Sequence, residues 1–295
     1  LDFRLGNTCN LACVMCRPQD SSKWLNEAKK LSNELQTDAK WDWKHKSEID
    51  LTKFEWYKRQ EFLEDFYDSC GNMRLMIFAG GEPLVMPEHY QILDKLIELG
   101  RTDVNIRYST NFSKMTFKKK HIFDYWEKFT NLELYISIDG VGKIGEYVRK
   151  GYDDNLFASN VKDYQNSNIK ATDYAYAITY GTLNYLHLFD MVLNFIERDF
   201  IDKDAFKGSR TLFFSPIDYP AYYDSVYLPD RYKEAFAKRL SNFGKELDKT
   251  DISSYVRKDI LEKLDTVYKR SITKDFNINL MTECKIMTDK LDKIR

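Results

Sequence analysis

The sequence predicts an α/β protein: a partial (β/α)6 barrel of the TIM type with a C-terminal helical extension. Short apolar runs alternate with amphipathic segments over most of the 295 residues, a pattern typical of βα units around a parallel sheet. Polar and glycine-rich segments follow several of these runs, at the strand ends where such folds carry their sites. An open doubly wound sheet fits the same number of strands, so the strand count does not separate the two architectures.

The predicted strands are short runs rich in aliphatic, aromatic and β-branched residues. In chain order they are Asp2–Leu5, Arg74–Phe78, Val104–Ser109, Leu132–Ile138, Ala171–Thr179 and Leu212–Ser215.

The predicted helices have apolar residues at helical spacing. Gly100 is the expected C-terminal cap of the third of them. A polar insertion that contains tryptophan is expected over Ser32–Leu51. The helices are Ser21–Leu31, Phe54–Tyr67, Pro87–Leu99, Phe117–Phe129, Asn155–Gln165, Leu186–Ile196, Asp230–Leu247, Ile252–Tyr268 and a last segment over 287–295.

The domain organisation predicted from these elements is a barrel core over residues 1–218 and a charged, helical extension over 219–295. The chain begins on an apolar strand without methionine, and its last residues resemble an unfinished helix. We therefore expect it to be part of a longer protein, cut at both ends.

Charge and hydropathy exclude several classes of function. The 45 Lys and Arg residues balance 46 Asp and Glu residues, so no basic footprint predicts binding to nucleic acid or to an anionic membrane. No apolar run is long enough to span a bilayer, and none resembles a signal peptide. A cytoplasmic location is the resulting expectation.

Three of the five cysteines lie in Cys9-Asn10-Leu11-Ala12-Cys13-Val14-Met15-Cys16, directly after the first strand. Clustering of this kind favours a metal site over a disulfide framework. Three thiolates can hold three irons of a [4Fe–4S] cluster and leave the fourth iron open. The alternative is structural zinc, which normally takes four ligands, and the nearest histidine is His45. Cys70 and Cys284 stand alone and are expected to be buried, inert cysteines.

The second strand runs into Gly80-Gly81-Glu82-Pro83. Adjacent glycines allow a backbone to approach a ligand closely, and proline stiffens the exit from the turn. A simple βα turn explains the same residues.

Polar residues also end the third and fourth strands. They read Ser109-Thr110-Asn111 and Ser137-Ile138-Asp139-Gly140, and Arg149 follows. Such residues are expected at a barrel mouth, although they also cap helices and form turns. Arg149 suits an anion or an exposed surface equally.

Together these motifs resemble those of the radical S-adenosylmethionine (SAM) superfamily, closest to the branch with SPASM or twitch domains. The resemblance implies that Cys9, Cys13 and Cys16 bind the [4Fe–4S] cluster and that SAM chelates its open iron. It implies that Gly80, Gly81 and Glu82 hold the SAM amino group. It further implies SAM contacts for the remaining motif residues: Ser109, Asn111, Ser137, Asp139 and Arg149. Met15 stands where the family usually has an aromatic residue near the adenine.

The implied activity is reductive cleavage of SAM to a 5′-deoxyadenosyl radical that abstracts hydrogen from a substrate. The resemblance also implies an electron donor such as flavodoxin or ferredoxin. A peptide or protein substrate is predicted, with a small carbohydrate-like or nucleoside-like metabolite as the alternative. A non-catalytic metal-binding module is a third hypothesis. An auxiliary cluster would need further clustered cysteines, which these residues lack. Either it lies in sequence outside these residues, or the protein works with one cluster.

Overall fold

The computed structural model describes residues 2–34, 55–204 and 211–295. All six predicted strands are present, with ends within about two residues of the prediction. Those six are β1, β3, β4, β7, β9 and β10, and four two-residue strands accompany them. The strands of the described residues are β1 (Asp2–Arg4), β2 (Ala12–Cys13), β3 (Leu75–Ala79), β4 (Asn105–Thr110), β5 (Thr116–Phe117), β6 (Lys120–His121), β7 (Leu132–Ser137), β8 (Arg149–Lys150), β9 (Asp173–Tyr180) and β10 (Thr211–Pro216).

Most predicted helices are also present. The predicted insertion lies outside the described residues from position 35 onward. Its first residues end the first helix instead. The helices of the described residues are α1 (Trp24–Glu34), α2 (Gln60–Ser69), α3 (Pro87–Glu98), α4 (Phe123–Trp126), α5 (Gly142–Val148), α6 (Asp154–Asn166), α7 (Leu188–Glu197), α8 (Asp230–Leu247), α9 (Ser254–Ser271) and α10 (Ile278–Ile294).

The helix predicted over Phe117–Phe129 is wrong. Its first part is a hairpin of β5 and β6 that turns at Lys118, which has a left-handed backbone (φ 54°). Only the single turn α4 follows. The apolar spacing is real, because Ile122, Trp126 and Phe129 are all buried. One helical turn is enough to bury them, so the spacing did not reveal how short the helix is.

Gly100 ends α3 as predicted. Its φ is +68°, and its N–H donates to the Ile97 carbonyl while the N–H of Arg101 donates to the Leu96 carbonyl. This pair of bonds is the Schellman arrangement, in which glycine tolerates the left-handed position.

The described chain divides into two compact units, the first of which comprises Leu1–Ser137, Arg149–Asp173 and Ile294–Arg295. Its sheet has four parallel strands in the order β1-β3-β4-β7. One face of this sheet is fully buried, whereas the other is half-exposed and partly polar. Successive side chains of a strand point to opposite faces, and the buried face is formed by Met76, Phe78, Ile106, Tyr108, Leu134 and Ile136.

The second unit comprises Ile138–Val148 and Tyr174–Lys293. Strands β9 and β10 pair in parallel along six residues. Helices α7 and α8 share an aromatic core in which the Phe236 ring lies 4.4 Å from that of Tyr185 and 4.6 Å from that of Phe189. The helical C-terminal region that the sequence predicts is therefore confirmed.

The α/β class with parallel strands is confirmed as well. The closure of those strands into a partial barrel stays a prediction, as does the division of the chain at residue 218. Among the described helices, none combines the length and hydropathy needed to cross a bilayer.

Candidate functional site

The cysteine loop and the glycine-rich turn lie side by side in the first unit. The N–H of Glu82 donates to the Thr8 carbonyl at 2.8 Å, and that of Gly81 donates to the Gly6 carbonyl at 3.3 Å. A Cβ atom on Gly81 would lie 2.7 Å from the carbonyl carbon of Asn7. Because carbon atoms pack at about 3.5–4.0 Å, only glycine allows this close backbone packing.

Side chains that follow the cysteines hold their loop in place. Ser21 Oγ donates to the Leu11 carbonyl at 2.5 Å, and Trp24 Nε1 donates to the Cys13 carbonyl at 2.6 Å. The N–H of Cys9 donates to Ser22 Oγ at 3.3 Å. The loop backbone is therefore bonded at several points, which gives its side chains a defined position.

Cys9 and Cys16 lie in an environment that disfavours negative charge on their thiols. Burial, and to a smaller extent the nearby carboxylate of Glu82, raise the pKa of Cys9 to about 12. A hydrogen bond with Cys13 raises the pKa of Cys16 well above its ordinary value, and burial adds to this. Thiolates are stable in such a place when a positive charge is bound to them, so the thiols fit a metal group.

No set of three or more His, Cys, Asp and Glu side chains within 2–34, 55–204 and 211–295 is arranged to hold a single metal ion. Cys70 and Cys284 are buried, as predicted.

Glu82 joins the ends of β3 and β4. Its side chain is almost completely buried. Oε1 accepts from Thr110 Oγ1 at 2.7 Å and from the Leu84 N–H at 3.1 Å, and Oε2 accepts from the Asn111 N–H at 2.6 Å. Burial raises the pKa of this carboxyl, which these bonds partly offset. A carboxylate accepts about four hydrogen bonds, so Oε2 retains room for one more.

Arg149 lies beside the cysteine loop, because β8 pairs antiparallel with β2 and sets Arg149 opposite Cys13. The side chain is buried rather than on an exposed surface. Its positive charge lowers the pKa of both Cys16 and Glu82. The guanidinium therefore acts electrostatically on both motifs.

An ionic group centred on the buried carboxylate of Glu27 supports the loop, and no sequence motif indicated it. The Glu27 carboxylate bonds Lys150 Nζ at 2.5 Å and Arg295 Nη2 at 3.0 Å. Arg295 also donates to the Ala12 carbonyl at 2.8 Å. Lys150 and Arg295 lie 123 and 268 positions from Glu27 in the sequence, so no local sequence pattern indicates that they are its partners.

A second group missed from the sequence surrounds Asn111. Its side chain bonds those of Asn10 and Ser113 and approaches Cys9 Sγ. Asn10 and Ser113 are separated by 103 positions, although each adjoins a motif that the sequence did reveal.

The other predicted residues differ in their burial and in their position in the fold. Ser109 is exposed and Ser137 is half-buried, both on the half-exposed sheet face, and Met15 is half-buried in the loop. Asp139 belongs to the second unit, where its buried carboxylate accepts from the Thr179 N–H at 2.7 Å. That bond gives Asp139 a structural role at the end of β9.

Comparisons with known proteins give a likeness of fold. No family model matches the chain, and no curated protein matches it. Among solved structures it is similar to anSMEcpe with bound AdoMet, with a TM-score of 0.50 and 18% identity over 86% of this chain and 63% of that one. A structure of Streptococcus suis SuiB bound to precursor peptide SuiA has a TM-score of 0.43 and 12% sequence identity, over 84% of this chain and 46% of that one.

Both anSMEcpe and SuiB are radical SAM enzymes. The likeness to anSMEcpe shows that this chain shares the fold of that protein over most of its length. The chain spans less than two thirds of the anSMEcpe length.

Proposed function

We propose that this chain is a radical SAM enzyme that holds a [4Fe–4S] cluster on Cys9, Cys13 and Cys16. The observation that carries the proposal is the bond between the Glu82 N–H and the Thr8 carbonyl. It joins two motifs, each typical of this superfamily, that lie over seventy positions apart in sequence. The fold shared with anSMEcpe supports the same proposal.

Cys9 and Cys16 suit a cluster because their surroundings disfavour the thiolate form, which a bound metal group would stabilise. When bound, the cluster would supply one electron for cleavage of SAM to methionine and a 5′-deoxyadenosyl radical, which abstracts hydrogen from the substrate. Cysteine thiolates are the usual ligands of such clusters. Arg149 favours the thiolate form of Cys16 in addition.

Residues beside the thiols suit the two charged groups of SAM. The spare acceptor position on Glu82 and the carbonyls of Gly80 and Gly81 would bind its ammonium group. The guanidinium of Arg149 would bind its carboxylate, an anion that matches its planar fork. Holding both groups fixes the orientation of the molecule, which is the main task of a protein that binds a reactive cofactor.

A peptide or protein is the proposed substrate, and a flavodoxin or ferredoxin the proposed electron donor. The support is the motif pattern, which is closest to the SPASM and twitch branch. A cytoplasmic location belongs to the same proposal, since free thiols and a cluster persist in a reducing compartment.

The test is anaerobic reconstitution with iron and sulfide, reduction, and measurement of 5′-deoxyadenosine formed from SAM. We expect turnover in the wild type, none in Cys13→Ala, and wild-type turnover in the control Cys70→Ala, whose thiol is buried elsewhere in the same unit. One equivalent of zinc without sulfide, or unchanged turnover in Cys13→Ala, would contradict the proposal.

A further inference from the structure

Asn111 contacts both motifs of the proposed site. Its backbone N–H donates to Glu82 Oε2 at 2.6 Å, and its buried side chain lies beside the cysteine loop at 4.0 Å from Cys9 Sγ. It therefore links the end of β4 to the first thiol as well as to the glycine-rich turn.

The orientation of the Asn111 amide is determined by its neighbours. The backbone N–H of Ser113 lies 3.1 Å from one amide atom. Since a backbone N–H only donates, that atom is the oxygen, Oδ1. Ser113 Oγ donates to the same oxygen at 2.5 Å. The nitrogen Nδ2 must then face the other way, toward Asn10 and Cys9.

Every hydrogen-bonding position of this amide is occupied. One Nδ2 hydrogen is donated to Asn10 Oδ1 at 3.0 Å, and the other is donated to Cys9 Sγ at 4.0 Å. Asn10 Nδ2 donates in turn to Ser113 Oγ at 2.7 Å, which closes a ring of three side chains. An amide has two acceptor positions and two donor hydrogens, so none remains for a ligand.

We propose that Asn111 is a positioning residue that holds Cys9 and raises the reduction potential of the cluster, and that it does not bind SAM directly. This inference rests on the proposed function and revises the SAM contact that the motif implied for Asn111. Donors to a cluster sulfur stabilise the more negative, reduced state. The N–H of Leu11, 3.5 Å from Cys9 Sγ, is a second donor of this kind.

Two variants of Asn111 test the inference, with the reduction potential measured by EPR-monitored titration and SAM affinity by equilibrium binding. Asn111→Ala removes the donor. Asn111→Asp keeps the shape and the acceptor for Ser113 but sets an oxygen toward Cys9. Both keep the backbone bond to Glu82. The control is Asn131→Ala, on an exposed side chain of the same unit.

We expect a lower potential in Asn111→Ala, a still lower one in Asn111→Asp, and the wild-type value in the control. The Kd for SAM should change by less than about threefold in Asn111→Ala. An unchanged potential in cluster-loaded variants would overturn the inference, as would a Kd raised by more than about tenfold without a change in potential. A wild type that holds no cluster would overturn the proposed function itself.

Discussion

Replacing Gly81 by alanine should separate the two motifs. The new Cβ would lie 2.7 Å from the carbonyl carbon of Asn7, where carbon contacts need about 3.5 Å or more. The loops must therefore move apart by close to one ångström. A shift of that size takes the Glu82 N–H beyond bonding distance of the Thr8 carbonyl, now at 2.8 Å.

The loss of folding free energy in Gly81→Ala follows from those contacts. Overpacking costs about 1–3 kcal/mol, and the lost backbone bond about 1 kcal/mol more. A total near 3 kcal/mol corresponds to a fall in Tm of roughly 6–12 °C in a chain of this size. The same displacement should weaken SAM binding by up to about 100-fold, because 1.4 kcal/mol is tenfold in affinity.

Thermal unfolding followed by circular dichroism and equilibrium SAM binding measure the two effects. Gly71→Ala is the matched control, because a Cβ there meets no atom within 4 Å, and it should keep the wild-type Tm within about 2 °C. If Gly81→Ala matched the wild type in both measurements, the close packing of the loops would have no energetic importance.

Two further predictions concern stability. Glu27→Gln weakens the bonds to Lys150 and Arg295. It should lower the free energy of unfolding in urea by about 2–3 kcal/mol, because two cations lose a buried partner. The control is Glu98→Gln, in the exposed pair of Glu98 with Lys95, which should lower it by less than about 0.5 kcal/mol. An equal effect in both variants would contradict a supporting role for Glu27. Burial lowers the pKa of His89 to about 3. Between pH 6.5 and 3, therefore, the His89 imidazole takes up a proton in the unfolded chain but not in the folded one. The free energy of unfolding should fall by about 1 kcal/mol between pH 6.5 and 5.5. His89→Gln should lose that part of the pH dependence of urea unfolding, and an unaltered pH profile would show that His89 is not its source.

The strands could be predicted because their signal is local. An apolar run such as Leu132–Ser137 carries its own pattern, and a glycine after a helix marks its end. The hairpin at Lys118 could not, because its apolar residues fit a helix equally well and only tertiary packing selects the single turn.

The part of the site that could be predicted also has a local sequence signal. Cysteine spacing and the Gly-Gly-Glu turn are contiguous and could be found in the sequence, whereas the Glu27 carboxylate and the Asn10 amide find partners more than 100 positions away. Asn111 was found through its motif, but its side-chain partners Asn10 and Ser113 could not be deduced from that motif. A motif identifies a position, and the chemistry of that position depends on neighbours brought in by the fold.

In the proposed site, the three thiols leave one iron of a cubane cluster free to bind SAM. EPR spectra of the anaerobic, reduced protein, recorded with and without SAM, test it most directly. We expect a [4Fe–4S] spectrum that changes when SAM is added, and no such spectrum in Cys13→Ala. A cluster spectrum that does not change when SAM is added, or a wild-type protein without any cluster, would contradict this arrangement.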